Sequence, residues 1–397
     1  MLTLIYNAML IMENGIQYGY VVIQNEKIVK VGTAEPDWNI SYDKTVDLHG
    51  DFLSPGFVEI HTHGAGGADF ADGTADTFVT ACQVHLQHGT TTILPTVSAV
   101  SKENLIRSID AFREAQVVLK EKGPNLHGIH FEGPYLNVEM CGGIDPEFIR
   151  LPDPEEYEYI LDYGRGAIAR WTLAVELPGS ERFVKRLVEE QILPSLGHST
   201  AIYDQVKSAF DWGVTHVTHL YSAMSTITRK SGFRYSGVLE SAYCIPEMTV
   251  EIIADGCHLP TELLELVYRV KGVEKTALTC DSIHFAGQEA NEASVISEIR
   301  GRYFIIEDGV AKMPDRSCFA GSIATDDRLI RVMHQKVGIP LCDAVNMMTL
   351  TPARIAKIDN TKGSIAEGKD ADLICFDDQV KVKGTMVLGK GTSGNLI

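Results

Sequence analysis

Between residues 57 and 281 the chain alternates short apolar stretches with amphipathic ones, and this alternation restricts the possible folds more than any other feature. Eight stretches read as strands: 57–61, 91–96, 127–132, 171–176, 193–197, 216–220, 249–254 and 276–281. Helical stretches separate them, such as 75–88, 102–122, 180–191, 203–212 and 261–271. Ser180 and Thr261 stand where helix N-caps belong, each followed within a turn by a glutamate. Strands separated by helices pair in parallel, and eight such units predict a (β/α)8 TIM-like barrel, whose usual size is about 250 residues. Helices at 326–337 and 341–356 would close or cap it.

The two ends of the chain read differently. Residues 2–6, 20–24, 27–31 and 45–47 are strand-like, with a turn at Asn25-Glu26, and 371–376 and 380–388 look similar. These ends are too short to fold alone. They are expected to pair into one small β-sandwich domain, residues 1–53 plus 357–397, leaving 54–356 for the barrel.

Composition narrows the partners. Of 397 residues 45% are hydrophobic and 22% charged, which is ordinary globular usage. A net charge of −18 argues against nucleic acid or an anionic membrane surface. An anionic small molecule stays possible, because a local pocket can oppose the global field. No stretch reaches the roughly 20 apolar residues of a membrane span. The start, Met-Leu-Thr-Leu-Ile-Tyr-Asn, lacks the basic and long apolar regions of a signal peptide. The eight cysteines stand singly, with no Cys-x-x-Cys pair, as in a reducing cytoplasm.

In a barrel of this kind the active site lies at the C-terminal ends of the strands. Polar residues collect there. The first strand ends in His61 and His63, two apart and so on one face of extended backbone. The third ends in Glu132, the fifth leads to His198 and the sixth to His219. The seventh leads to Asp255 and His258, and the eighth ends at Asp281. Singly, each has an ordinary structural reading. Glu132 before Gly133-Pro134 could be a turn carboxylate, His198 part of a capping loop, and Asp255-Gly256 a common turn pair. Of His216 and His219, one is expected to be a core histidine, with His216 the choice. Jointly they point to a metal site. Imidazoles with carboxylates and no thiolate suit Zn²⁺ first, and also Fe²⁺, Mn²⁺ or Co²⁺. Such an ion polarises a carbonyl and acidifies its bound water, and Asp281 fits as the base that moves the proton.

With these residues placed, the chain resembles the amidohydrolase superfamily, in its branch of N-acetyl amino sugar phosphate deacetylases. The resemblance spans essentially the whole chain. It is carried by Ser54-Pro55-Gly56-Phe57-Val58, His130-Phe131-Glu132-Gly133-Pro134-Tyr135-Leu136-Asn137 and Leu196-Gly197-His198-Ser199. Thr218-His219-Leu220-Tyr221, Ile253-Ala254-Asp255-Gly256-Cys257-His258, Phe319-Ala320-Gly321-Ser322 and residues 362–372 extend it. The resemblance implies that Glu132, His198 and His219 hold one divalent ion. His61 and His63 would hold a second, with Glu132 bridging. It makes Asp281 the catalytic aspartate and His258 a substrate contact, and sets Cys141, Ser222, Ala223 and Arg234 around the substrate. It also implies a homodimer, in which the arginine crosses the subunit interface. The expected reaction is hydrolysis of the N-acetyl amide of N-acetylglucosamine 6-phosphate; the alternatives are a different N-acyl amine, such as a non-phosphorylated or galacto-configured amino sugar, and, ranked below it, a non-catalytic sugar-binding protein.

Three departures fall in the substrate pocket. Ser222-Ala223-Met224 stands where the branch has Asn-Ala-Met. Arg234 aligns only if about four residues near Arg229 and Lys230 are inserted. Gly142-Gly143-Ile144 replaces a Gly-Ala-His segment. The fourth strand, reading Trp171 to Glu176, has no lysine to be carboxylated between two metals, as some relatives have.

Overall fold

The computed structural model describes residues 1–33, 35–288, 295–299 and 301–396. Eight parallel strands follow one another around a barrel in chain order: Phe57–Thr62, Thr90–Ser98, Ile129–Glu132, Ile168–Leu173, Leu193–Leu196, His216–Val217, Thr249–Ile253 and Thr276–Thr279. Each pairs with the next. At the seam between the last and the first, the Asp281 N–H donates to His61 O at 3.0 Å. The buried Glu59 carboxylate stitches the same seam: it accepts the His61 N–H, the Thr279 hydroxyl and the Cys280 N–H at 2.7, 2.6 and 2.8 Å. That seam brings the ends of the first and eighth strands side by side.

Helices cover the outside, including Ala75–Gln87, Lys102–Leu119, Ser180–Glu189, Tyr203–Trp212 and Thr261–Lys271. In the first of these Phe78, Ala81, Cys82, His85 and Leu86 are buried, the three-and-four spacing of a single apolar stripe. The caps lie one residue earlier than expected. Gly179 and Pro260 occupy the N-cap positions, and the Ser180 hydroxyl donates to Ala174 O at 2.9 Å instead of capping. Thr261 is the first helical residue. Between barrel and helices Trp171 stacks on Tyr135, ring centroids 5.9 Å apart, with Phe131 and Phe183 edge-on to Trp171.

Three elements have no counterpart in the sequence reading. A helix, Pro154–Tyr163, begins at the N-cap Asp153. A hairpin, Thr228–Lys230 with Phe233–Tyr235, stands exposed after the sixth strand. A four-stranded antiparallel excursion follows the eighth strand: Val295–Ile299, Arg302–Glu307, Val310–Lys312 and Phe319–Gly321.

Both chain ends share one eight-stranded sheet, in which Leu2–Met12 lies between Gly15–Gln24 and Phe52–Pro55. Leu373–Phe376 pairs antiparallel with Phe52–Pro55. Ile5, Leu10, Val21, Leu53, Leu373 and Met386 pack on this sheet. The strand Phe52–Pro55 passes through Gly56 straight into the first barrel strand, so the sheet anchors the strand that carries His61 and His63. A Cβ at Gly56 would sit 2.1 Å from Thr91 Oγ1, which reserves the position for glycine. Among the described residues no helix is long and apolar enough to cross a membrane.

Candidate metal centre

All five expected ligands converge at the C-terminal mouth of the barrel. Glu132 Oε1 lies 3.0 Å from both His198 Nε2 and His219 Nε2, and Oε2 lies 3.1 Å from His63 Nε2. His61 Nε2 and His63 Nε2 each stand 3.3 Å from Asp281 Oδ1. Two groups of ligand atoms result, Glu132 with His198 and His219, and His61 with His63 and Asp281.

The donor set fits divalent cations. His198 Nε2 and His219 Nε2 are 3.1 Å apart. Nitrogens sharing a tetrahedral Zn²⁺ at 2.0–2.1 Å stand about 3.3 Å from each other. His61 Nε2 is fully buried and makes no hydrogen bond among the described residues, its carboxylate neighbours being 3.3 and 3.5 Å away. An imidazole nitrogen left in that state points toward a ligand that is not part of the chain.

The local field agrees. Burial alone would lower the pKa of His63, yet Asp281 and Glu132 raise it to about 9. Burial is likewise overridden at His61, which Asp281, Glu132 and Glu251 hold well above the usual histidine range. These carboxylates favour positive charge where the side chains meet. Burial would raise Asp281, but His61 and His63 lower it, so it is ionised and able to take a proton. His198, His219 and Asp281 have φ of 49°, 29° and 44°, in the left-handed region that non-glycine residues rarely enter. Such strain gathers where side-chain aim matters more than backbone comfort.

Behind the ligands lies a charged core that sequence reasoning missed. Glu251, in the middle of the seventh strand, accepts from His61 Nδ1 at 2.7 Å and from the His219 N–H at 3.1 Å. Its other oxygen meets Arg170 Nη1 at 2.6 Å. Arg170 also donates to Ser195, Thr218 and Ile60 O, and both residues are fully buried. The available signal was a lone charge at an inward position of two apolar strands. His216 is a core histidine as expected: Nδ1 faces Thr249 Oγ1 at 2.8 Å, Nε2 faces Glu251, and burial holds it neutral, with a pKa of about 4. His130 is another, held between Thr96 and Thr172 at 3.0 and 2.7 Å.

The ligands open onto a cavity of about 390 Å³. Ser222, Ala223 and His258 line it, as does Asp281. Asp255 is buried and orients His258: Oδ2 accepts from His258 Nδ1 at 2.8 Å, and Oδ1 accepts the N–H groups of Cys257 and His258 at 2.8 Å each. That leaves His258 Nε2 for the cavity. Two expected pocket residues stand elsewhere. Cys141 falls between the lining residues Met140 and Gly142 without lining the cavity itself. Arg234 is exposed on the hairpin, beside Arg229 and Lys230, and does not reach the cavity of its own chain.

A parallel barrel with imidazoles and carboxylates gathered at its strand ends is the architecture of a metal-dependent hydrolase, and the amidohydrolase family model matches residues 52–392. The chain belongs to the amidohydrolase family. It is 34% identical over 374 residues to the N-acetylglucosamine-6-phosphate deacetylase of Haemophilus influenzae, 94% of each chain being covered. It is 32% identical to the N-acetylgalactosamine-6-phosphate deacetylase of a Shewanella species, over 85% of this chain and 82% of that one. Among solved structures it superposes with a TM-score of 0.88 and 28% identity on a Mycobacterium smegmatis N-acetyl-D-glucosamine-6-phosphate deacetylase, covering 99% of both chains. That structure is of an aspartate-to-alanine variant in complex with N-acetyl-D-glucosamine-6-phosphate.

Proposed function

We infer that the chain hydrolyses the N-acetyl amide of N-acetylglucosamine 6-phosphate, releasing acetate and the free amino sugar phosphate. The observation that carries this is the joint presence of Asp281, His258 and four of the five expected ligands, His63, Glu132, His198 and His219, around one cavity, in a chain whose curated relatives are amino sugar phosphate deacetylases.

Glu132, His198 and His219 would hold one divalent ion, and His61 and His63 would hold a second, with Glu132 facing both. When bound, such an ion polarises the acetyl carbonyl and lowers the pKa of a coordinated water to about 7. Zn²⁺ is proposed first, with Fe²⁺, Mn²⁺ or Co²⁺ also suited to nitrogen and oxygen donors without a thiolate. Asp281 takes the proton from the attacking water on a carboxylate oxygen and returns it to the leaving amine. His258, turned by Asp255, meets the substrate through Nε2 as negative charge builds on the carbonyl oxygen.

A homodimer is proposed on the exposed hairpin, where Phe233 is 72% exposed next to Arg234. From there Arg234 could serve only the cavity of a second copy. A cytoplasmic setting is proposed on the scattered free cysteines, of which Cys82, Cys280, Cys342 and Cys375 are buried.

The test is acetate release from four sugars: N-acetylglucosamine and N-acetylgalactosamine, each with and without the 6-phosphate. N-acetylglucosamine 6-phosphate should be the best substrate by kcat/KM. A higher value for the galacto ester would move the assignment to that sugar, and no acetate from any of the four would end it.

A further inference from the structure

Carboxylates and a single guanidinium meet in the cavity onto which the proposed ions would open. Asp69, Glu132, Glu139 and Asp281 all line it, and among the described lining residues Arg302 is the single lysine or arginine. Arg302 opens the second strand of the excursion after the barrel. Its Nη1 donates to Gly143 O at 2.8 Å, and its guanidinium lies 5.6 Å from the Phe304 ring centre. Gly143 cannot easily give way. A Cβ there would stand 3.1 Å from Ala320 Cα, so the loop and the excursion touch backbone to backbone. The carbonyl that aims Arg302 is thereby fixed from the other side.

We propose that Arg302 is a specificity residue that binds the phosphate of the phosphorylated amino sugar from within the same chain. A guanidinium carries five N–H donors in a rigid fork. One is engaged by Gly143 O, its one acceptor among the described residues. The others can meet phosphate oxygens in the paired geometry that arginine favours. Beyond the proposed ions, Asp69 and Glu139 also line the cavity, and a guanidinium of the same chain offsets their charge toward a dianionic phosphate. Packing against Phe304 and the bond to Gly143 set the guanidinium in place before substrate arrives, so little is lost in ordering it. The proposal rests on the phosphorylated-substrate reading above.

The experiment compares wild type, Arg302→Ala, Arg302→Lys and Arg234→Ala on N-acetylglucosamine with and without the 6-phosphate. Inorganic phosphate is tested as an inhibitor in parallel. For Arg302→Ala the ratio of kcat/KM between ester and free sugar should fall roughly 10- to 100-fold, through KM, and the Ki of phosphate should rise with it. Arg302→Lys keeps the charge but not the fork, and should fall between the two. An unchanged ratio would overturn the proposal, and a loss confined to Arg234→Ala would assign the phosphate to the hairpin. Equal losses on both sugars would also overturn it, leaving Arg302 only as a tether for the Gly143 loop. A wild-type ratio near one would remove the phosphorylated-substrate reading itself, an outcome distinct from failure of Arg302 alone.

Discussion

Glu251 Oε1 lies 2.7 Å from His61 Nδ1, so a carboxylate buried in the barrel fixes which nitrogen of that imidazole faces the cavity. With Nδ1–H donated to Glu251, the lone pair of Nε2 is free to ligate. Partners of this kind are worth about 10- to 100-fold in metal affinity. Glu251→Gln should weaken the ion proposed at His61 and His63 by that order and affect the one proposed at His198 and His219 less, because Glu251 meets His219 only at its backbone N–H. Elemental analysis under metal-replete conditions should find up to two ions per chain in the wild type and one fewer, or a chelator-labile one, in the variant. Equal retention of both ions by the variant would contradict this role.

Arg170 neutralises Glu251 in a place that water does not reach, both side chains being 0% exposed. Removing one partner of a buried ion pair commonly costs about 3–5 kcal/mol, because the other charge is left without compensation. Arg170→Ala should lower the free energy of unfolding by about that much in urea titration. Adding Glu251→Gln to it should recover part of the loss. A single variant within about 0.5 kcal/mol of wild type would show that the pair is not what holds the barrel interior together.

A third prediction concerns acid stability. Burial would raise Asp327, but His88 at 3.2 Å and Arg331 at 2.6 Å pull it down, from its ordinary 3.8 to about 2. A carboxylate depressed in the folded state stabilises above its unfolded pKa and loses that contribution as pH falls toward the folded one. The window here runs from about pH 4 down to about pH 2. Asp327→Asn should therefore be roughly 2 kcal/mol less stable than wild type near pH 6, and the gap should shrink by about half at pH 3. Urea titrations at the two pH values decide it. A gap that stays constant would mean that the ion pairs contribute nothing through titration.

The barrel and the imidazoles and carboxylates gathered at its mouth were legible because both rest on local pattern. Apolar strands end in chemistry-bearing residues, and His61 and His63 share a face by the period of extended backbone alone. The interior pair Arg170 and Glu251 was not legible, because each is a single charge inside an apolar strand and neither names its partner 81 positions away. The helices begin at Ser180 and Thr261 as read, but the N-caps were placed one residue late, on those two residues. Gly179 can take the left-handed φ of 91° that begins its helix, and Pro260 precedes the first helical residue of the other, so neither cap is a side-chain acceptor. Arg302 escaped notice for a different reason. It sits in an excursion that the strand–helix alternation does not include, and only the fold brings it to Gly143. Arg234, singled out from alignment to a motif, is on the surface of its own chain.

The most direct test of the central claim is to follow acetate release from N-acetylglucosamine 6-phosphate by wild type and Asp281→Asn, with metal content measured on the same samples. General acid–base residues typically supply about 10²- to 10⁴-fold in rate. The Asp281→Asn protein should lose turnover by at least that order while keeping the ion proposed at Glu132, His198 and His219. Near-normal acetate release by a metal-loaded Asp281→Asn protein would contradict the account.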